Sequence, residues 1–136
     1  MRSESTPFRV RYPEVDRMGV VHHTHYLVWF ELGRTELMRA AGLPYGVLED
    51  DRGILFPVIE AGARYRRPAR YDDQLEVQTG IVGLSPVRVR FEYRIVRPAD
   101  GAVLADGFSV HAAVGRDGRP QRLPTELMER LSPWTS

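Results

Sequence analysis

The 136-residue chain contains no cysteine, no lysine and no asparagine. The absence of cysteine excludes disulfides, a thiolate nucleophile and any metal centre with cysteine ligands. The absence of lysine excludes Schiff-base chemistry and a lysine general base. All 19 basic residues are therefore arginine, a bias that we interpret as genomic composition more than as a phosphate-binding signature.

The length and composition predict one domain over residues 1–136, with a core from about residue 8 to 131. The segment Met1–Pro7 has no apolar run, and no stretch approaches the roughly 20 apolar residues of a membrane helix. A cytoplasmic location without membrane insertion is therefore expected. The formal net charge of +1 argues against nucleic-acid binding.

The apolar periodicity predicts one strand, one long helix and then four long strands. The strands are expected at 8–15, 57–67, 75–81, 87–95 and 103–115, the long helix at 23–41, and shorter helices at 45–51 and 125–131. Pro13 places the first strand at an edge or near its own end. This order predicts an α+β fold, with an antiparallel sheet curled around the helix. A free sheet edge would favour dimerisation.

The chemistry is concentrated just before the long helix. Asp16 lies in a predicted turn, and His22, His23 and His25 follow at the helix start. The N–H groups of a helix N-terminus can hold a developing oxyanion, so a neighbouring carboxylate and imidazole would make a hydrolytic site. Two alternatives stay open. One is an Asx turn closed by Gly19, and the other is a metal site in which His22, His23 and His25 are ligands and His111 or Asp16 completes the set.

Residues 12–36 resemble the signature of the YbgC-like acyl-CoA thioesterases, in the 4-hydroxybenzoyl-CoA thioesterase branch of the hotdog-fold superfamily. The matched positions are Tyr12, Asp16, Gly19, Val20, Val21, His23, Tyr26, Glu31, Arg34 and Glu36. A second family-like stretch contains Tyr65, Pro68, Arg70, Asp72, Asp73, Leu75, Glu76 and Thr79. Two positions depart from the family pattern: Val15 replaces a threonine, and His22 replaces a tyrosine.

The resemblance implies a hotdog fold of about five strands around one central helix, in a homodimer or homotetramer with active sites between subunits. It implies hydrolysis of an acyl-CoA, with a short aliphatic or aromatic acyl group, without metal or other cofactor. Asp16 would act as nucleophile or general base. The N–H of His23, helped by Gly19 or Val20, would bind the thioester oxygen, and the His23 side chain would orient water. Tyr12, His22 and Tyr26 would contact the substrate.

Several other interpretations remain at this stage. Arg66 and Arg88 are candidates for the CoA phosphates, although a solvated strand face is the plainer interpretation of each. Glu31 and Arg34 have the spacing of a helical ion pair, and Glu31 is a second candidate carboxylate. Trp29, Phe30 and His111 are expected in the core. The competing functions are an acyl carrier protein thioesterase, a non-catalytic hotdog binding module and, without the motif, a single-stranded nucleic-acid binder.

Overall fold

The computed structural model describes residues 3–136, so Met1 and Arg2 of the segment Met1–Pro7 lie outside the described residues. The strands are β1 (Glu4–Arg9), β2 (Val58–Tyr65), β3 (Gln74–Leu84), β4 (Arg88–Arg97) and β5 (Ala102–Ala112). The helices are α1 (Thr24–Ala40), α2 (Tyr45–Val47) and α3 (Thr125–Leu131). A 3-10 turn spans Tyr12–Glu14, one π-helical turn spans Leu48–Arg52, and a second 3-10 turn spans Ser132–Trp134.

The five strands form one antiparallel sheet in the order β1-β3-β4-β5-β2. Inward side chains alternate with outward ones along β3 and β4, as period-2 patterning requires. The buried face of α1, which includes Trp29, Phe30 and Leu37, covers this inner face. The predicted α+β architecture, a curled sheet around one long helix, is confirmed.

Helix α1 approaches the sheet closely at Gly33. A Cβ atom added at Gly33 would lie 2.8 Å from Val77 Cγ2 and still nearer to Thr79 Oγ1, so only glycine fits this contact. One turn earlier, the Phe30 ring stacks on Tyr93 with a centroid distance of 4.5 Å. These contacts fix the position of the helix over the sheet, and with it the position of the helix start.

The prediction of a strand over residues 8–15 is wrong in its bounds. Strand β1 ends at Arg9, and Tyr12–Glu14 forms a 3-10 turn with Pro13 in its first residues. The fixed φ of proline suits such a turn, and the Glu14 side chain accepts a hydrogen bond from the Arg11 N–H at 2.7 Å. The helix over 23–41 and the four later strands are found within a few residues of their predicted ends.

Among the described residues, no helix is long and apolar enough to cross a membrane.

Candidate active site

The segment before α1 folds as a tight hairpin. The His22 N–H donates to the Glu14 carbonyl at 3.1 Å, and the Asp16 N–H donates to the Val20 carbonyl at 2.9 Å. A β-bridge joins Val15 to Val21, and the Val21 N–H donates to the Ala69 carbonyl at 2.9 Å. The hairpin is thereby anchored to the segment between β2 and β3, with Asp16 at its tip.

Asp16 closes the hairpin tip with its own side chain. Its Oδ1 accepts hydrogen bonds from the N–H of Met18 at 2.8 Å and, more weakly, of Val20 at 3.4 Å. Gly19, at φ +79°, donates its N–H to the Asp16 carbonyl at 3.0 Å. The Asx turn closed by Gly19 is therefore present. Within residues 3–136, the second carboxylate oxygen has no hydrogen-bond partner, and the side chain is exposed.

The start of α1 leaves one backbone donor open. His23 precedes the helix in helical conformation, with φ −57° and ψ −26°. The His25 N–H donates to the His22 carbonyl at 3.1 Å, and the Thr24 N–H points to His22 Nδ1 at 3.4 Å. No acceptor for the His23 N–H is found among residues 3–136. By contrast, the N–H groups of Gly19 and Val20 already bond to Asp16.

Aromatic rings surround this helix start. The rings of His22 and His23 lie 4.4 Å apart between centroids, and the Tyr65 hydroxyl donates to the His23 carbonyl at 3.3 Å. Tyr26 is buried beneath Tyr65, with ring centroids 5.1 Å apart. Burial raises the pKa of the Tyr26 hydroxyl, partly opposed by a hydrogen bond at the Ala69 backbone. Tyr12 lies further out, is 74% exposed, and meets Tyr71 edge-on.

Sequence reasoning missed Glu14, a carboxylate that is only 2% exposed. Its Oε1 accepts the Arg11 N–H, and its Oε2 accepts the indole N–H of Trp29 at 3.0 Å. Burial by itself would raise the pKa of Glu14, but the hydrogen bonds from Arg11 and Trp29 outweigh it, so the pKa lies below its usual value. The available signal was the acidic residue two positions before Asp16.

The other predicted binding residues lie apart from this hairpin. Arg66 is paired with Asp106 through Nε at 2.7 Å. Arg88 begins β4 and is exposed, and no ion pair joins its side chain to residues 3–136. Glu31 and Arg34 do not form the expected ion pair within the part of the chain described. Burial raises the pKa of the Tyr45 and Tyr93 hydroxyls, and the charge of Arg34 opposes that rise. In the same part, no three His, Asp or Glu side chains are placed to hold a metal ion.

The protomer leaves Asp16 and His23 on open surface. Three cavities of about 890, 530 and 210 Å³ are each lined by other residues. The smallest lies between α1 and β2, with Leu27, Val28 and Val58 among its apolar walls. An exposed carboxylate and an open N–H donor are reactive groups, but in the protomer neither has a wall that would exclude water.

The model of the family described as the thioesterase-like superfamily matches residues 10–131. The chain belongs to this superfamily. The predicted resemblance, the hotdog fold and the assignment as a thioester-hydrolysing enzyme are thereby confirmed at the level of the family.

Three relatives carry more detail. The Bacillus subtilis protein named "Putative acyl-CoA thioesterase YneP" is 34% identical over 117 residues, covering 86% of this chain and 83% of its own length. The Escherichia coli acyl-CoA thioester hydrolase YbgC is 38% identical over 90 residues, covering 66% of each protein. The crystal structure of a DHNA-CoA thioesterase from Staphylococcus aureus superimposes with a TM-score of 0.91 at 28% identity, covering 98% of this chain and 91% of that one.

Proposed function

We propose that the protein hydrolyses an acyl-CoA thioester to a free acid and CoA, with Asp16 as the reacting carboxylate. The proposal rests on the hydrogen bonding and the exposure of the Asp16 carboxylate. One of its oxygens is fixed by the turn N–H groups, and the other is exposed and unpartnered within residues 3–136. A carboxylate held in this way keeps its orientation while one oxygen remains available to the substrate.

The reaction can follow either of two routes. As a general base, the free oxygen of Asp16 takes a proton from water while the hydroxide oxygen adds to the thioester carbon. As a nucleophile, the same oxygen adds to that carbon and forms an anhydride, which water then hydrolyses. In both routes the C–S bond breaks, and the CoA thiolate leaves with the bonding electrons and is protonated by solvent.

The thioester oxygen gains negative charge in either route. We assign its stabilisation to the His23 N–H, which is the open donor at the start of α1, and not to Gly19 or Val20, whose N–H groups are occupied. The helix N-terminus adds its partial positive charge at the same place. The side chains of His22 and His23 lie at this helix start, and that of Tyr12 lies further out; all three are exposed and are proposed to contact the substrate.

A second subunit is proposed to complete the site. The exposed apolar residues Leu27, Val28, Val58 and Ile59 lie on α1 and on the free edge of β2. Covering them would also enclose the groove of about 210 Å³ between these elements, which is smaller than the roughly 300 Å³ at which drug-sized pockets begin. The proposed acyl group is a short aliphatic or single-ring one, as the family resemblance implies. The exposed Arg88 is the better placed of the two candidate arginines for CoA phosphates, because Arg66 is occupied by Asp106.

The test is thiol release from a panel of short-chain, aromatic and long-chain acyl-CoA esters, with acyl carrier protein esters alongside. Asp16→Asn keeps the acceptor oxygen that closes the turn and removes the charge. We expect it to lower kcat by about 100- to 10,000-fold, the usual contribution of a general base. KM should change little, because the turn is retained.

Asp117→Asn is the matched control. Asp117 also accepts the N–H of the residue two positions on, Arg119, at 3.0 Å, beside a glycine at φ +80°. The same chemical change at another exposed Asp that accepts the N–H of the residue two positions on should leave kcat unchanged. Full turnover by Asp16→Asn would contradict the role of Asp16. Saturable acyl-CoA binding by the unmodified protein without thiol release would indicate a binding module.

A further inference from the structure

Glu14 joins the two pieces of chain that carry the proposed site. Its Oε1 accepts the Arg11 N–H at 2.7 Å, before the hairpin, and its Oε2 accepts the Trp29 indole N–H at 3.0 Å, in the second turn of α1. Its backbone carbonyl accepts the His22 N–H at 3.1 Å, on the opposite side of the hairpin. One residue therefore spans the hairpin, its entry and the helix.

The burial of this carboxylate gives those bonds their strength. Glu14 is 2% exposed, and a hydrogen bond to an ionised acceptor in a low-dielectric site is stronger than one between neutral groups. Two further nitrogen atoms approach the carboxylate: Arg11 Nε lies 3.5 Å from Oε1, and His25 Nδ1 lies 4.0 Å from Oε2. A neutral side chain of the same size would supply one acceptor where two donors converge.

Because Glu14 is close to Asp16 in the chain, the link between Glu14 and α1 affects the position of Asp16. Asp16 is two residues further on, and among residues 3–136 its side chain accepts hydrogen bonds only from N–H groups of its own turn. Val15 between them has no hydroxyl with which to orient the Asp16 carboxylate. The direction of the hairpin relative to the start of α1 therefore depends on contacts outside the turn. The Glu14–Trp29 bond at 3.0 Å connects the hairpin to the helix through side chains, and His25 Nδ1 lies 4.0 Å from the same carboxylate oxygen.

We infer that Glu14 is a positioning residue, whose buried carboxylate holds the Asp16 hairpin against α1 so that Asp16 and the His23 N–H address the same carbonyl group. This inference rests on the proposed function of Asp16. It assigns Glu14 no contact with substrate and no proton transfer. It predicts that the link can be broken from either side, at Glu14 or at Trp29, with the same effect on turnover.

The test compares Glu14→Gln, Trp29→Phe and the double variant with the unmodified protein, at a temperature well below every Tm. Each single variant should lower kcat by about 10- to 100-fold, since a displacement of about 1 Å can lower a rate on the order of 100-fold. The double variant should lose no more than the singles, because the same bond is already absent. The Tm of the double variant should exceed that of Glu14→Gln. In Glu14→Gln alone, the glutamine amide N–H faces the Trp29 indole N–H, and both are donors.

The rate at which the Met18 and Val20 amide protons exchange with solvent, measured by NMR, reports whether the hairpin is held in place. It should accelerate in all three variants, while exchange in the central strands β3 and β4 is retained. Glu126→Gln, which removes an exposed carboxylate bonded to Arg52 and Arg130, is the control and should change neither quantity. If kcat instead followed Tm across the series, or the hairpin amides kept their exchange rates, Glu14 would be only a core residue. Activity retained by Asp16→Asn would reject the proposed function without affecting the exchange result.

Discussion

At the scale of single residues, the proposed site depends on a backbone group more than on an imidazole. The His23 N–H has no acceptor within residues 3–136, whereas its carbonyl is bonded by Tyr65. A side-chain substitution at this position leaves the N–H in place, so an alanine variant cannot test the proposed oxyanion contact. Proline can, because it removes the donor itself.

We predict that His23→Pro lowers kcat by about 100- to 1000-fold relative to His23→Ala, the cost of one oxyanion donor. The φ of −57° at His23 suits proline, and the first positions of a helix tolerate it. Both variants lose the imidazole, so their ratio isolates the N–H. Far-UV circular dichroism and Tm verify that α1 is retained. Equal kcat values in the two variants would place the oxyanion donor elsewhere.

The residues of this site were only partly accessible from the sequence. Asp16, Gly19 and the helix start could be located from turn chemistry and from the motif, because both are local signals. Glu14 could not, because its partner Trp29 is 15 residues away and on another element. The occupied N–H groups of Gly19 and Val20 were also not predicted: the Gly19 N–H bonds to the Asp16 carbonyl, and the Val20 N–H bonds to the Asp16 side chain.

At the scale of secondary-structure elements, long periodic segments were predictable and short ones were not. Helix α1 begins and ends one residue inside its predicted range, and β4 alternates as its sequence does. Strand β1 was misplaced because Phe8–Val15 alternates in sequence while its second half bends into the turn held by Glu14. A tertiary contact overrode the local pattern there.

Strand β5 carries a buried polar chain; the burial of His111 was predicted from the sequence, whereas its hydrogen-bond partners were not. His111 is fully buried, with Nδ1 2.9 Å from the Phe56 carbonyl and Nε2 2.8 Å from Ser109 Oγ, which is bonded in turn to the Tyr93 hydroxyl. Because a carbonyl only accepts, we assign the proton to Nδ1, so a neutral imidazole satisfies every partner. Burial, together with the charge of Arg34, lowers the pKa of His111, although the Phe56 bond opposes this.

This lowered pKa predicts a loss of stability in acid. In the unfolded chain, His111 takes up a proton near pH 6.5, whereas in the folded chain it stays neutral to lower pH. The unfolded state therefore binds more protons, and the free energy of unfolding falls as the pH drops from about 6.5 through the folded-state pKa. The loss cannot exceed about 1.4 kcal/mol per pH unit for one group.

His111→Gln, which keeps an N–H donor for Phe56, should show a shallower decline between pH 7 and 5 in denaturant unfolding. His22→Gln, which replaces an exposed imidazole, controls for the loss of one histidine and should follow the unmodified protein. Parallel curves for His111→Gln and the unmodified protein would show that His111 is not the group responsible.

At the scale of the whole molecule, the two edges of the sheet differ, and one of them is better suited to pairing with a second protomer. Edge strand β1 has six residues, includes Pro7 and pairs through a mostly polar sequence. Edge strand β2 has eight residues and no proline, and it exposes Val58 and Ile59. Proline and short length protect an edge from pairing, whereas a longer apolar edge invites it.

We predict that two protomers pair through β2, joining two five-stranded sheets into one of ten strands. Ile59→Glu would place a carboxylate on each side of that contact, so sedimentation velocity should show a shift toward monomer at micromolar protein concentration. Thiol release should fall with the loss of the subunit contact, because the proposed site would then lack its second wall.

Val87→Glu adds the same charge at a residue 40% exposed in the turn before β4 and should preserve both assembly and activity. An unmodified protein that is monomeric and fully active at these concentrations would contradict the pairing, and with it a site shared between subunits.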